Sequence, residues 1–207
     1  MEGRRERKKQ QTRQAISDVA TALFLERGFD AVTVAEVARA ADVAVQTVFN
    51  HFPTKEDLFF DEQGWWQGPA RVIREGSDAA DPVDLLEGHY LAELHERVEA
   101  GQLAMWKQFV RTIEDSPALL ARRRLNAAEM ETLLTAALEE RIPGRLEGRL
   151  IAAQYAAAHK VLEEELMRLL PDDATPGRLT QVRQEMEQAA ALVFGVLRHG
   201  YLTATTD

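Results

Sequence analysis

Gln46 and Asn50 stand four residues apart in the segment 44–51, and at the helical period side chains so spaced share one face. Each carboxamide offers donors and an acceptor that match N6 and N7 of adenine in the major groove of DNA. Val45, at the margin of that face, suits the methyl group of thymine. Around it Thr47, His51 and Lys55 carry donors fitted to phosphate oxygens, and Lys55 also lies near the positively polarised start of the next helix. Val48 and Phe52 point the opposite way, so the segment reads as a short helix with one buried and one free side.

That face is useful only if neighbouring elements hold it. Upstream, Ile16, Val19, Ala20, Leu23 and Phe24 form one apolar stripe of a first helix. Gly28 follows as its expected left-handed end, with Phe29 folding back on Phe24 in a Schellman closure. Thr33 and Glu36 have the spacing of a capping box, and Val34, Val37, Ala38 and Ala41 supply the buried side of a two-turn second helix. Pro53 closes the helix through His51, and Thr54 with Asp57 opens a further one. Two short capped helices joined by a tight connection make a helix-turn-helix candidate.

Charge is divided to match. The 207-residue chain has a formal net charge of −9, yet residues 1–13 hold six Lys/Arg (Arg4, Arg5, Arg7, Lys8, Lys9, Arg13) against two Glu. Residues 58–207 hold sixteen Lys/Arg against twenty-five Asp/Glu. A basic arm ahead of an acidic body points to an anion-binding front end, since phosphate affinity comes from Lys and Arg. There is no cysteine, so disulfides, thiolate zinc sites and thiol nucleophiles are excluded. No Gly-rich phosphate loop, nucleophile elbow or Ser-His-Asp ordering is present, and the chain is not read as an enzyme. Absence of a long apolar run argues for a cytoplasmic protein without a membrane span.

The rest of the chain predicts helices near 69–76, 82–100, 102–114, 117–141, 145–170 and 177–204, for an all-α fold of about nine helices in total. The stretch 61–68, with Trp65 and Trp66, fits either helix or loop. Three His/Glu pairs at a spacing of four, His89 with Glu93, His95 with Glu99 and His159 with Glu163, have metal-ligand spacing but lack a third partner. The same spacing stabilises helices in the ordinary way, and no metal or cofactor is implied.

The segment TVAEVARAADVAVQTVFNHFPTKEDLF, residues 33–59, with ERGF at 26–29, resembles the DNA-binding signature of TetR-family (tetracycline-repressor-like) regulators. The resemblance implies a DNA-binding domain over 1–55 and an effector-binding and dimerisation domain over 56–207. It implies that Thr33, Thr47, Phe49, His51 and Lys55 approach the DNA backbone, while Ala44, Val45, Gln46 and Asn50 face the bases. Three residues depart from the pattern: Asp42 where Gly is frequent at the turn, Ala44 for Ser at the helix start, and Phe49 for Tyr. The loss of the Tyr hydroxyl reduces Phe49 to packing.

Members of such a family act as two-fold dimers, because two operator half-sites about 34 Å apart must be read together. Helices 145–170 and 177–204 are the dimerisation candidates. The first carries Leu146, Leu150, Ala153, Ala157 and Val161, and the second Met186, Ala189, Ala190, Val193, Phe194 and Leu197. The resemblance also implies an apolar effector cavity among the middle helices, for which His89, Tyr90, Trp106, Phe109, Asn126, Met130, Tyr155 and His159 are the candidate lining. The function expected is that of a repressor released from a palindromic operator by a small, partly apolar molecule. A protein partner acting on the acidic body is the alternative.

Overall fold

In the computed structural model the residues described are 3–60, 65–142, 144–171 and 175–202. They form α1 (Arg4–Arg27), α2 (Val34–Ala40), α3 (Val45–His51), α4 (Lys55–Phe59), α5 (Gly68–Glu75), α6 (Pro82–Glu99), α7 (Leu103–Glu114), α8 (Pro117–Arg141), α9 (Arg145–Leu169) and α10 (Pro176–Leu202). Ten α-helices thus stand where about nine were expected. Trp65–Gln67 is a 3-10 turn that runs into α5, which settles the ambiguous stretch for Trp65 and Trp66. Residues 61–64, and 203–204 at the end of the last expected helix, lie outside the described residues, as do the side chains of Arg4 and Arg5 in the basic arm.

The basic arm is helical from Arg4 onward. Residues 4–13 contain only good helix formers and one Thr, with no Gly or Pro, so the helix that Ile16 and Phe24 anchor has nothing to stop it upstream. Its far end breaks differently from expectation. Gly28 has positive φ (83°), but its ψ of 149° sends the chain out extended rather than into a Schellman closure. Phe29 still returns to Phe24, with ring centroids 5.1 Å apart, because its ring is held between Phe24 and Phe59.

The chain divides into two compact units. The head comprises Met1–Gly64 with Gln108–Arg123, and the body Trp65–Lys107 with Arg124–Asp207. The division cuts through α7 and α8, whose 108–114 and 117–123 stretches belong with the head. Ile16, Ala20 and Phe24 of α1, Val37 and Ala38 of α2, and Val48 and Phe52 at α3 form the head core with Leu58 and Phe59. Ile113 and Leu119 complete it. An aromatic seam runs through this core: Phe59 stacks on Phe109 at 4.5 Å and 12°, and Phe60 meets Phe109 edge-on at 6.0 Å.

The body packs α5, α6, α8, α9 and α10 around Leu86, Leu94, Leu134, Leu162 and Met186. Asp81 caps α6 by accepting from the Val83 N–H at 2.7 Å, and Pro82 takes the first helical position, where its missing N–H costs nothing. Arg141, on the last turn of α8, donates to the carbonyls of Ile73 (2.9 Å), Gly76 (3.3 Å) and Ala80 (2.8 Å), and to that of Ser77. One guanidinium therefore satisfies the carbonyls left open where α5 ends.

The apolar stripe expected to pair α10 with a second subunit lies instead in the protomer's own core. Met186, Ala190, Phe194 and Leu197 are buried, with Phe194 6.2 Å from Tyr90 and 6.3 Å from Tyr155. The wide stripe served α6 and α9 of the same chain, which periodicity alone cannot distinguish from a partner. The α9 stripe is different: Leu146 is 76% exposed, Leu150 48% and Val161 52%, with Ala153 and Ala157 exposed between them. On α10 the exposed apolar residues are Leu192 (71%) and Val196 (66%).

Candidate nucleic-acid interface

The second helix is fixed at its start by a complete capping box. The Thr33 hydroxyl accepts from the Glu36 N–H at 3.2 Å, and the Glu36 carboxylate accepts from the Thr33 N–H at 2.9 Å. The same carboxylate meets Arg27 at 2.9 Å, tying the end of α1 to the start of α2. The Thr33 backbone N–H, foremost, and the Arg27 guanidinium hold the Glu36 carboxyl at about 2, below its ordinary 4.5. A depressed carboxyl pKa adds stability that is fully present above pH 4.5 and is lost as the pH falls through 2. Comparing thermal midpoints of the native chain and Glu36→Gln from pH 7 to 2 should show the native advantage shrinking across that window. A gap independent of pH would mean that the charge of Glu36 does not matter.

The turn is where the Schellman pattern falls. The Val43 N–H bonds to the Ala38 carbonyl at 2.9 Å and the Asp42 N–H to that of Arg39 at 3.3 Å, with Asp42 at φ 54°. Among the described residues Asp42 is the one non-glycine at positive φ. Aspartate visits this region more readily than most L-residues, so the turn forms without Gly. Ala44 then starts α3 in extended geometry, φ −70° and ψ 147°, with no side-chain cap. That geometry is the one a capping Ser adopts. Ala44→Ser is accordingly expected to stabilise the protein by about 1 kcal/mol, read as a raised urea midpoint; an unchanged midpoint would show that water caps α3 equally well.

The exposed side of α3 consists of Val45, Gln46, Phe49 and Asn50, while Val48 and Phe52 are fully buried. Gln46 Nε2 donates to Asn50 Oδ1 at 3.1 Å, so the two carboxamides already share one plane of approach. Phe49 is 42% exposed and Val45 41%, so the ring lies on the outer face of α3. Its position on the helix faces outward, opposite buried Val48 and Phe52. Thr47 and His51 are half-buried at the edges of the face, Ala44 is exposed, and Thr33 is occupied with its own capping box.

Two cations turn inward. Lys55 Nζ donates to the Phe29 carbonyl at 2.6 Å and lies 4.1 Å above the Phe29 ring, and loss of hydration there lowers its pKa. Arg13 Nη1 donates to the His51 carbonyl at 2.5 Å, and its guanidinium covers the Phe52 ring at 4.1 Å. The role of Arg13 was not visible in the sequence, because its partners lie 38 residues away. A second capping box, Thr54 with Asp57, starts α4, and Asp57 also pairs with Arg122 at 2.9 Å.

The effector candidates scatter. Tyr90, Trp106 and His159 line a body cavity of about 30 Å³ together with Leu94, Arg97, Glu163 and Leu166. Arg97 lies over the Trp106 ring at 4.7 Å and pairs with Glu93 at 3.6 Å. Loss of hydration around His159, with Arg97 nearby, lowers its pKa to about 4, while burial raises those of Tyr90 and Tyr155. Arg97 was missed, although it is seven residues beyond Tyr90 on the same helix face, whereas Glu163, four beyond His159, stood out in the sequence only as half of a helical His/Glu pair.

His89 packs instead on the backbone of Gly68, so close that a Cβ there would lie 2.6 Å from its Nε2. Met130 and Tyr155 are core, and Phe109 belongs to the head's aromatic seam. Asn126 is fully buried with neither carboxamide atom hydrogen-bonded. His95 turns from Glu99 to Glu187 on α10, 2.8 Å away. Among the described residues no three His, Asp or Glu side chains converge as metal ligands, and no helix is long and apolar enough to cross a membrane.

A short capped helix, a tight Schellman turn and a second helix with a free polar face define a helix-turn-helix DNA-binding protein with a helical body. Residues 16–61 match the family model for bacterial regulatory proteins of the tetR family. The HTH-type transcriptional regulator TcmR of Streptomyces glaucescens is 29% identical over 180 residues, 79% of this chain and 76% of that protein. AcrR of Shigella flexneri is 44% identical over 50 residues, 24% of this chain and 23% of that protein. Among solved structures, NalD, the secondary repressor of the MexAB-OprM multidrug efflux pump in Pseudomonas aeruginosa, shares the fold. Its TM-score is 0.56 at 21% identity, over 87% of this chain and 97% of that one. The helix-turn-helix region is thus similar to the DNA-binding module of the TetR family of transcriptional regulators, over residues 16–61.

Proposed function

We propose that the protein is a homodimeric repressor that reads a palindromic operator through α3 and releases it when a small molecule occupies the body. The observation that carries this reading is the Gln46–Asn50 pair on the free face of a helix whose opposite face is fully buried. Thr33, Thr47, Phe49, His51 and Lys55 approach the DNA backbone, Thr47 and His51 with donors at the edge of the face, and Ala44, Val45, Gln46 and Asn50 face the bases. The DNA-binding domain spans 1–55, and the effector-binding and dimerisation domain 56–207. Exposed Leu146, Leu150 and Val161 on α9, joined by Leu192 and Val196 on α10, are the surface that a second copy covers.

The effector enters at Tyr90, Trp106 and His159, with Arg97 and Glu163 as polar partners. Effector and operator are linked reciprocally, so the effector binds less tightly to the DNA-bound form. A cavity of about 30 Å³ holds about one water, far short of the several hundred Å³ of a usual ligand pocket. A small-molecule trigger must therefore open the body as it binds. The small size of this cavity supports the second reading, in which a protein partner on the acidic body replaces the small molecule.

The test is a mobility-shift titration on the DNA flanking the protein's own coding region, with a shuffled duplex as control. A sequence-specific complex of two protomers at moderate salt is the expected result. Equal retention of both duplexes, or a monomeric complex, would overturn the reading.

A further inference from the structure

We propose that Arg13 is a positioning residue for the recognition helix: it holds the C-terminal end of α3 in place and is not one of the cations that neutralise phosphate. The inference rests on the DNA-binding reading, and it separates one arm residue from its neighbours. Arg7, Lys8 and Lys9 are exposed on the first turns of α1. Arg13 is half-buried, with Nη1 2.5 Å from the His51 carbonyl and its guanidinium carbon 4.1 Å from the centroid of the Phe52 ring.

The chemistry favours this arrangement for three reasons. His51 is the last residue of α3, and its carbonyl lies among those that a helix end leaves without an intrahelical donor. A cation at that end also meets the negative pole of the helix. Phe52 is fully buried, and a guanidinium over its face is attracted by the ring and seals it from water. The donor and the cation over the ring belong to one rigid group, so a single residue of α1 holds α3 at two points. Asn50 immediately precedes His51 and Gln46 lies four residues further back, and a small rotation at the helix end would carry their carboxamides off the base edges.

The experiment compares the native chain with Arg13→Met, Arg13→Lys and Lys8→Ala. Arg13→Met keeps an unbranched stem over Phe52 but removes the donor; Arg13→Lys keeps a cation and a donor without the planar fork. Each is titrated with a duplex from the flanking DNA and with a random-sequence duplex over a range of salt. Amide hydrogen exchange is followed in the protein without DNA. Arg13→Met is expected to weaken the specific duplex about tenfold, to leave the random duplex unchanged, and to leave the slope of log K against log salt unchanged. Arg13→Lys should recover part of the loss, and exchange should rise at Val48–Phe52 in Arg13→Met while α2 keeps its protection. Lys8→Ala should instead weaken both duplexes and flatten the slope by about 0.9.

The proposal is overturned if Arg13→Met flattens the slope as Lys8→Ala does, with equal loss on both duplexes, because Arg13 then contacts phosphate. It is overturned equally if exchange in α3 and specific affinity are both unchanged. If the native chain itself forms no specific complex, the DNA reading fails, whereas the exchange measurement still decides whether Arg13 holds α3.

Discussion

Asn50→Ala is expected to leave the fold intact and to cost about 1–3 kcal/mol in specific binding, at one base pair per half-site. Asn50 is exposed, and in the free protein its oxygen accepts only from its helical neighbour Gln46 at 3.1 Å. Nothing in the core depends on it. The loss should appear as relaxed discrimination at one operator position, with random-sequence affinity unchanged. Gln46→Ala should act at a neighbouring position, and the double variant should lose less than the sum, because the two amides orient one another. A loss of the same size on every duplex would mean that Asn50 meets the sugar-phosphate backbone.

Phe59→Ala should have the largest effect on stability, about 3–5 kcal/mol. Its ring is 5% exposed, stacks on Phe109 at 4.5 Å, and meets Phe24, Phe29 and Phe60 at 6.0, 5.9 and 5.3 Å. Truncation removes the buried apolar area, leaves a cavity among rings that cannot all collapse into it, and breaks four aromatic contacts at once. Phe59→Leu keeps most of the volume and should cost appreciably less. Urea unfolding followed by circular dichroism measures both. Equal losses for Ala and Leu would show that ring geometry rather than volume holds the seam.

These two predictions draw on different kinds of information. The register of α3 was legible in the residues alone, because capping at Thr33 and Thr54 and closure at Pro53 are set within a few residues along the chain. A helix once placed fixes which side chains share a face. The left-handed turn at Asp42 and the uncapped start at Ala44 follow from equally local chemistry. So does the exposed stripe of Leu146, Leu150 and Val161, at least as a face of one helix.

What the tertiary structure alone decided is where each face and each long side chain finds its partner. Met186, Phe194 and Leu197 look like a dimer stripe by period, yet Tyr90 and Tyr155, from helices far off in sequence, bury that stripe within the protomer. Phe109 reads as lining for a body cavity and joins the head, because α7 is shared between the two units. Arg13 and Lys55 count as free positive charge until the backbone of His51 and the ring of Phe29 are brought beside them, 38 and 26 residues away. Periodicity and capping are short-range and survive in the sequence. The choice of a packing partner is made by burial across long loops, and only the folded chain contains it.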